Sequence, residues 1–181
     1  MELIKVTQSS HIPEKYRGTA VEKLVGYHNL AMPYDTYENA EILVGMCMDN
    51  RKMLHLPENF AFIVRTAGAN LRYSDFKVAF AVGVGGVSAV AIIGHNDCGM
   101  SKLMAKKSAF IRGMVEKAGW DAKKADEHFM SFAPFFEIED EEQFIASEAT
   151  RLREKFPKIT VAPMIYRLED NLLYFIDEGR P

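Results

Sequence analysis

The hydrophobic residues of the first half of the chain fall into short continuous runs. Residues 41–47, 60–65 and 88–94 are each largely apolar, and each run predicts a buried strand. Between the second and third runs, apolar residues recur at helical spacing and predict a helix. Ser74 stands at the N-cap position of this helix. An antiparallel sheet with one wet face would alternate apolar and polar residues. The pattern therefore predicts an α/β fold with a mostly parallel central β-sheet flanked by helices.

The N-terminal part of the chain predicts one amphipathic helix. Between residues 13 and 30, apolar side chains recur near the helical period, and Glu14 lies in the first turn, where the helix dipole favours an acid. Residues 33–40 are polar and predict a connection to the first strand. We therefore expect an N-terminal helical arm at about residues 13–30.

The second half of the chain predicts a group of helices and then two strands. The predicted helices cover residues 102–118, 121–132 and 140–156, and Pro157 ends the last one. Strands are predicted at residues 159–166 and 172–176, and the five residues between them suit a tight turn. The sheet is therefore expected to end in a C-terminal strand hairpin.

Length and composition predict one domain over residues 1–181. The formal net charge is −3, which gives no basic surface for nucleic acid. The most apolar stretch, residues 78–94, is interrupted by glycines and divides into a helix and a strand, so we expect no contact with a membrane. The first residues lack the pattern of a signal peptide, and with only two cysteines a disulfide scaffold is not expected. These features predict a cytoplasmic protein.

Three side chains that bind zinc are predicted at carboxyl ends of strands. Cys47 ends the first strand, and His95 and Cys98 directly follow the third. In a parallel sheet these ends border the point where ligands bind. His-x-x-Cys lets two side chains of one loop reach the same ion, with Gly94 and Gly99 giving the backbone freedom to turn. Two thiolates and one imidazole leave a fourth tetrahedral position open, as in catalytic zinc sites.

Asp49 and Arg51 follow Cys47 at alternating positions and are candidate catalytic residues. When Arg51 holds it, Asp49 can orient a water molecule at the metal. When Arg51 releases it, the carboxylate can take the fourth zinc position and close the site. His55 follows this pair and is either a proton shuttle or an ordinary polar loop residue.

At these residues the chain resembles the β-class carbonic anhydrases, and more closely their shorter, non-plant branch. Residues 47–51 (Cys-Met-Asp-Asn-Arg) match the family pattern C-x-D-x-R, and residues 95–99 (His-Asn-Asp-Cys-Gly) match H-x-x-C-G. Residues 65–68 (Arg-Thr-Ala-Gly) resemble the segment that the family carries between these motifs, although Thr66 stands where Asn is usual.

The resemblance implies one zinc ion per chain, bound by Cys47, His95 and Cys98, with Asp49 and Arg51 beside it. It implies reversible hydration of carbon dioxide, a small-molecule substrate, to bicarbonate and a proton. It also implies a homodimer or larger homo-oligomer, in which the N-terminal helix wraps the partner subunit.

The sequence also suggests two substrate-binding positions and leaves two alternative functions open. Backbone groups near Gly68 and Gly99 are expected to bind substrate oxygens. The same scaffold also suits a hydrolase of carbonyl sulfide or carbon disulfide, since both molecules are linear relatives of carbon dioxide. A non-catalytic zinc-binding regulatory module, in which Asp49 keeps the metal closed, is the second alternative.

Overall fold

The computed structural model describes residues 1–179. Their strands form one six-stranded sheet. The strands are β1 (Glu2–Lys5), β2 (Ile42–Cys47), β3 (Ala61–Thr66), β4 (Ala89–His95), β5 (Thr160–Arg167) and β6 (Leu172–Asp177). Their order across the sheet is β1-β6-β5-β4-β2-β3. Strands β2 to β5 are parallel, and β6 is antiparallel to both of its neighbours. The α/β fold, the mostly parallel sheet and the C-terminal hairpin are confirmed.

Five α-helices accompany the sheet in the described part of the chain. They are α1 (Ala20–Leu30), α2 (Asp75–Gly83), α3 (Lys107–Ala118), α4 (Ala122–Phe136) and α5 (Glu141–Lys155). Side chains of α1 pack on one face of the sheet, and those of α2 and α5 pack on the other. Within residues 1–179 no helix combines the length and the apolar character needed to cross a membrane.

The N-terminal helix is shorter than predicted. It begins at Ala20, where the Thr19 side chain accepts a hydrogen bond from the backbone N–H of Val21. Gly18 adopts φ +70°, a left-handed conformation that breaks the helical path, and residues 14–16 form only a short 3-10 turn. The apolar spacing over residues 13–30 was therefore correct about the buried side chains but not about a continuous helix.

The second strand was predicted to be buried, and this was wrong. Strand β3 lies at an edge of the sheet, with only β2 beside it, and the side chains of Phe62 and Ile63 are 41% and 51% exposed. The inner strands β2 and β4 are buried along their whole length. The N-terminal strand β1, which pairs with β6, was not predicted.

The connections of the sheet create a switch point at β2 and β4. The chain leaves β2 for β3 on one side, and then returns to form β4 on the other side of β2. Because the connections diverge at these two strands, their carboxyl ends border a crevice. Cys47 is the last residue of β2, and His95 is the last residue of β4.

Candidate metal centre

The ligand atoms of Cys47, His95 and Cys98 converge at the switch point. All three residues are buried, and their ligand atoms lie within 4.8 Å of one another. The two sulfur atoms are 4.0 Å apart. Two thiolates bound to a tetrahedral zinc at about 2.3 Å would stand about 3.8 Å apart. The separation of the sulfurs therefore fits a zinc ion without a large movement of β2 or of the turn that carries Cys98.

The His95 ring is also oriented for metal binding. Its Nδ1 is 2.9 Å from the carbonyl oxygen of Asn96, which assigns the ring proton to Nδ1. Its Nε2 is buried and has no hydrogen-bond partner among residues 1–179. A buried polar atom without a partner is unfavourable, and coordination of a metal would remove this cost. The donor set and its geometry therefore suit zinc.

The Cys47 and Cys98 thiols are hydrogen-bonded to each other, and this contact shifts their pKa values in opposite directions. The hydrogen bond from Cys98 lowers the pKa of Cys47, and the same contact, together with burial, raises the pKa of Cys98. A metal ion reverses this effect at Cys98, because a coordinating thiol loses its proton. Zinc binding at this centre is consequently coupled to proton release.

The loop between His95 and Cys98 takes its shape from Asp97. Asp97 has φ 56°, whereas neither Gly94 nor Gly99 adopts a left-handed conformation, so their predicted role in the turn was wrong. Gly94 instead allows α5 to approach β4 closely, since a Cβ atom there would lie 2.6 Å from the Ile145 side chain. Strand β4 can thus reach the centre while α5 packs directly against it.

The predicted pair of Asp49 and Arg51 is formed. The Arg51 guanidinium donates to both Asp49 carboxylate oxygens, with its Nη2 2.7 Å from Oδ2 and its Nε 3.1 Å from Oδ1. The backbone N–H of Arg51 also donates to Oδ1 at 2.9 Å. These contacts, foremost the guanidinium, hold the pKa of the Asp49 carboxyl well below its usual range. Asp49 is therefore ionised throughout the neutral pH range.

Arg51 links the motif at residues 47–51 to the motif at residues 95–99. Its Nη1 donates to the Asp97 carboxylate at 2.8 Å, and its Nη2 donates to the Asp97 carbonyl oxygen at 2.9 Å. Asp49 lies beside the metal ligands, with Oδ2 4.0 Å from Nε2 of His95. In this arrangement the carboxylate is held by Arg51, next to the position that a metal would occupy.

Two basic residues at the centre, Lys52 and Arg65, have no role predicted from the sequence. Lys52 is fully buried, and its Nζ donates to the Asp49 carbonyl oxygen at 3.1 Å. Arg65 donates to the carbonyl oxygens of Cys47, Asp49 and Lys52 at 3.1, 3.3 and 3.2 Å. The sequence offered one signal, since Arg65 is a charged residue at the end of an apolar strand.

Gly68 and Gly99, the predicted substrate-binding positions, both lie near the centre. Gly68 has φ +61°, and a Cβ atom there would lie 2.3 Å from the Ile138 side chain, so only glycine fits. Its backbone also contributes to lowering the pKa of Cys47. The Gly99 carbonyl accepts from Lys106 at 2.6 Å. Thr66 is paired in register with Cys47, and its hydroxyl is buried without a partner in the described chain.

His55 does not contact the metal ligands. Its backbone N–H donates to Nδ1 of the buried His28 at 3.2 Å, and the two rings are 5.4 Å apart in an edge arrangement. Burial, and then the neighbouring His55, lower the pKa of His28 to about 4. His28 is therefore neutral at neutral pH, and a proton-shuttle role for His55 stays a prediction.

An apolar cavity of about 210 Å³ adjoins the centre. Ala67, directly after β3, and Met100, two residues after Cys98, line it, and Met100 also packs against Cys47 and Cys98. Phe110 of α3 and Phe129 and Phe136 of α4 contribute to its outer wall. The cavity offers an apolar space for a small uncharged molecule.

Comparisons with known proteins agree with this geometry. A family model described as carbonic anhydrase matches residues 42–171, which include every ligand and both members of the Asp–Arg pair. No curated protein matches the chain.

Several solved structures share the fold. A carbonic anhydrase from Glaciozyma antarctica is similar with a TM-score of 0.61 and 23% identity, over 76% of this chain and 83% of its own. A β-carbonic anhydrase from Trichomonas vaginalis gives 0.62 and 18% identity, over 80% and 87% of the two chains. The apo form of a carbon disulfide hydrolase gives 0.55 and 16% identity, over 88% and 87%.

Proposed function

Because this chain belongs to the β-class carbonic anhydrase family, we propose that it binds one zinc ion and catalyses the reversible hydration of carbon dioxide to bicarbonate and a proton. The ligands are Cys47, His95 and Cys98. The observation that carries the proposal is the position of Asp49, which lies beside the three ligand atoms but is held by Arg51. This leaves the fourth metal position to water.

The residues of the chain have separate tasks in the reaction. Zinc, when bound, supplies a Lewis acid that lowers the pKa of a coordinated water to about 7. Asp49, which stays ionised, would accept a hydrogen bond at Oδ2 from a water held at the metal position and so orient its oxygen. Arg51 keeps Oδ2 of Asp49 turned toward the centre, and its guanidinium balances the negative charge of the carboxylate. The apolar cavity accommodates carbon dioxide, and backbone groups near Gly68 and Gly99 bind the substrate oxygens.

A metal analysis joined to one hydration assay tests the proposal. We expect one zinc per chain, and stopped-flow hydration of carbon dioxide that rises as the pH increases through about 7. His95→Asn should lose both zinc and activity, whereas His11→Asn, in the N-terminal 3-10 turn at residues 9–11, should keep both. Stoichiometric zinc and full activity in Cys98→Ser would show that the ligand assignment is wrong.

A second candidate is the hydrolysis of carbonyl sulfide or carbon disulfide at the same centre. It is favoured by the apolar cavity beside Ala67 and Met100, which suits a linear sulfur compound as well as carbon dioxide. Parallel assays of hydration and of sulfide release separate the two reactions. Negligible hydration with rapid sulfide release would replace the first proposal by this one. Bound zinc with neither activity at any pH would identify a non-catalytic zinc module.

We also propose that the chain forms a homodimer through the edge of the sheet at β3. Strand β3 and helix α2 expose neighbouring apolar side chains, which we call the β3–α2 face: Phe62, Ile63, Phe76, Phe80 and Val84. The outer edge of β3 has no strand beside it. An exposed edge next to exposed aromatic residues is typical of a surface that a partner covers.

Helix α1 covers the sheet of its own chain, and its contact with a partner stays a prediction.

The two cysteines are free thiols, and zinc ligation requires them reduced. This requirement supports our proposal of a cytoplasmic location.

A further inference from the structure

The buried Lys52 is not explained by the ligands or by the Asp49–Arg51 pair. Its side chain is fully buried, although lysine is among the residues least often found in protein interiors. Burial of an ammonium group is unfavourable unless nearby oxygen atoms or negative charges compensate it. The reason for this lysine must therefore lie in the groups that surround Nζ.

Those groups belong to the candidate metal centre. Nζ donates to the Asp49 carbonyl oxygen at 3.1 Å and lies 3.7 Å from Oδ1 of the same residue. Burial lowers the pKa of Lys52, and the negative charges of Cys47, Asp49 and Cys98 oppose that effect, whereas Arg65 adds to it. The ammonium group thus faces the anionic side of the centre.

Lys52 and Arg51 hold Asp49 from different sides. Arg51 is about half exposed and binds the carboxylate from the solvent side. Lys52 lies on the buried side and contacts the main chain of Asp49, with Arg65 as a second donor to the same carbonyl oxygen. Arg51 therefore sets the rotation of the side chain, and Lys52 sets the position of the backbone that carries it.

We propose that Lys52 is a positioning residue that fixes Asp49 beside the metal and keeps its carboxylate out of the fourth coordination position. This inference rests on the proposed zinc centre and adds a residue to it. It differs from a purely structural role in one respect. Asp49 keeps Arg51 as a partner when Lys52 is replaced, so no unpaired charge is left behind, and loss of a buried ammonium should not destabilise the fold.

Lys52→Met tests the proposal, because methionine is also long and unbranched but carries no charge. We expect one zinc per chain, an unchanged or higher melting temperature, and a kcat for hydration reduced about tenfold or more, with less change in KM. Lys117→Met, at an exposed position of α3, is the matched control and should behave like the wild type.

A double variant shows whether Lys52 acts through Asp49. In the Asp49→Asn background, Lys52→Met should cause little further loss of kcat, since the group that it positions is already altered. If the kcat losses of the two single variants multiply in the double variant, the proposal is overturned. Full activity of Lys52→Met would also overturn it. A lower melting temperature together with lost zinc would assign Lys52 a structural role instead.

X-ray absorption at the zinc edge gives a result that does not depend on activity. In the wild type we expect two sulfur ligands, one imidazole and a water oxygen, whereas Lys52→Met should show increased carboxylate ligation. If the zinc-loaded wild type does not hydrate carbon dioxide, the proposed function fails while this comparison still tests Lys52. Identical spectra of the two proteins would overturn the inference, and absence of zinc from the wild type would overturn both proposals.

Discussion

Asp49 is the residue whose charge the proposed reaction depends on most directly. Asp49→Asn keeps the size of the side chain but loses the negative charge that Arg51 holds. We expect zinc to stay bound and kcat to fall by about two orders of magnitude, as for loss of a group that orients the nucleophile. Stopped-flow hydration of the zinc-loaded variant measures this.

Asp126→Asn is a suitable control, because it removes a carboxylate from the exposed surface of α4. It should keep wild-type kcat and zinc content. Undiminished hydration by Asp49→Asn would mean that the orienting group is elsewhere.

His28 should make the stability of the protein depend on pH in the acidic range. Burial lowers its pKa from 6.5 to about 4 in the folded chain. Between these two values the unfolded chain binds the proton and the folded chain does not, so the free energy of unfolding rises with pH. Acidification from pH 6.5 to 4 should therefore cost up to about 3 kcal/mol through this residue.

Denaturant unfolding at several pH values measures the effect. In His28→Asn the amide oxygen can still accept from the backbone of His55 but does not titrate, so the fall toward pH 4 should be smaller than in the wild type. Equal slopes for wild type and His28→Asn would refute this assignment.

At the residue scale, the sequence predicted the side chains that form local motifs and missed those defined by burial. His95 and Cys98 lie in one turn, and Asp49 follows Cys47 at a fixed spacing, so their roles could be inferred from position. Lys52 looks like a surface lysine in the sequence. Its burial depends on the fold around it, including β3, whose Arg65 donates to its carbonyl oxygen.

At the element scale, the β3–α2 face connects the fold to the proposed dimer. Phe76 is 80% exposed in α2, so replacing it by Glu should leave the folded monomer intact. Burying that charge in a dimer interface is unfavourable, and we expect Phe76→Glu to weaken association at least tenfold. Sedimentation analysis over a range of concentrations measures the change.

Phe135→Glu, at an exposed phenylalanine of α4, is the matched control and should sediment like the wild type. A wild type that is monomeric at all concentrations would contradict the dimer. If both variants stay dimeric, the dimer uses a different surface.

The elements also show why one strand was misjudged. Continuous apolar runs predicted β2 and β4 correctly, because both lie inside the sheet with helices on its two faces. The same pattern in β3 belongs to an edge strand with exposed side chains. Hydrophobicity alone does not distinguish an inner strand from an edge strand with exposed side chains.

At the scale of the whole molecule, zinc binding should stabilise the fold. The proposed ligands come from β2 and from β4 with the turn that follows it, so the ion would favour the folded chain over the unfolded one. Zinc at 1,000 times its Kd adds about 4 kcal/mol, which for a chain of this size raises the melting temperature by roughly 8–16 °C. Calorimetry before and after removal of the metal by a chelator measures the shift.

Cys98→Ser should lose most of this zinc-dependent shift, whereas Ser131→Ala, on the exposed surface of α4, should retain it. An equal melting temperature with and without metal would show that zinc does not bridge the two strands.

The separation of the ligands along the chain also determines when the centre can form. Cys47 and Cys98 are 51 residues apart, and β2, which carries Cys47, meets β4, which precedes Cys98, only after the intervening crossover has folded. A chain emerging from the ribosome therefore presents a lone thiol at residue 47 until β4 has docked beside β2. At the proposed zinc centre, metal capture would therefore be a late event in biosynthesis, after this part of the sheet has closed.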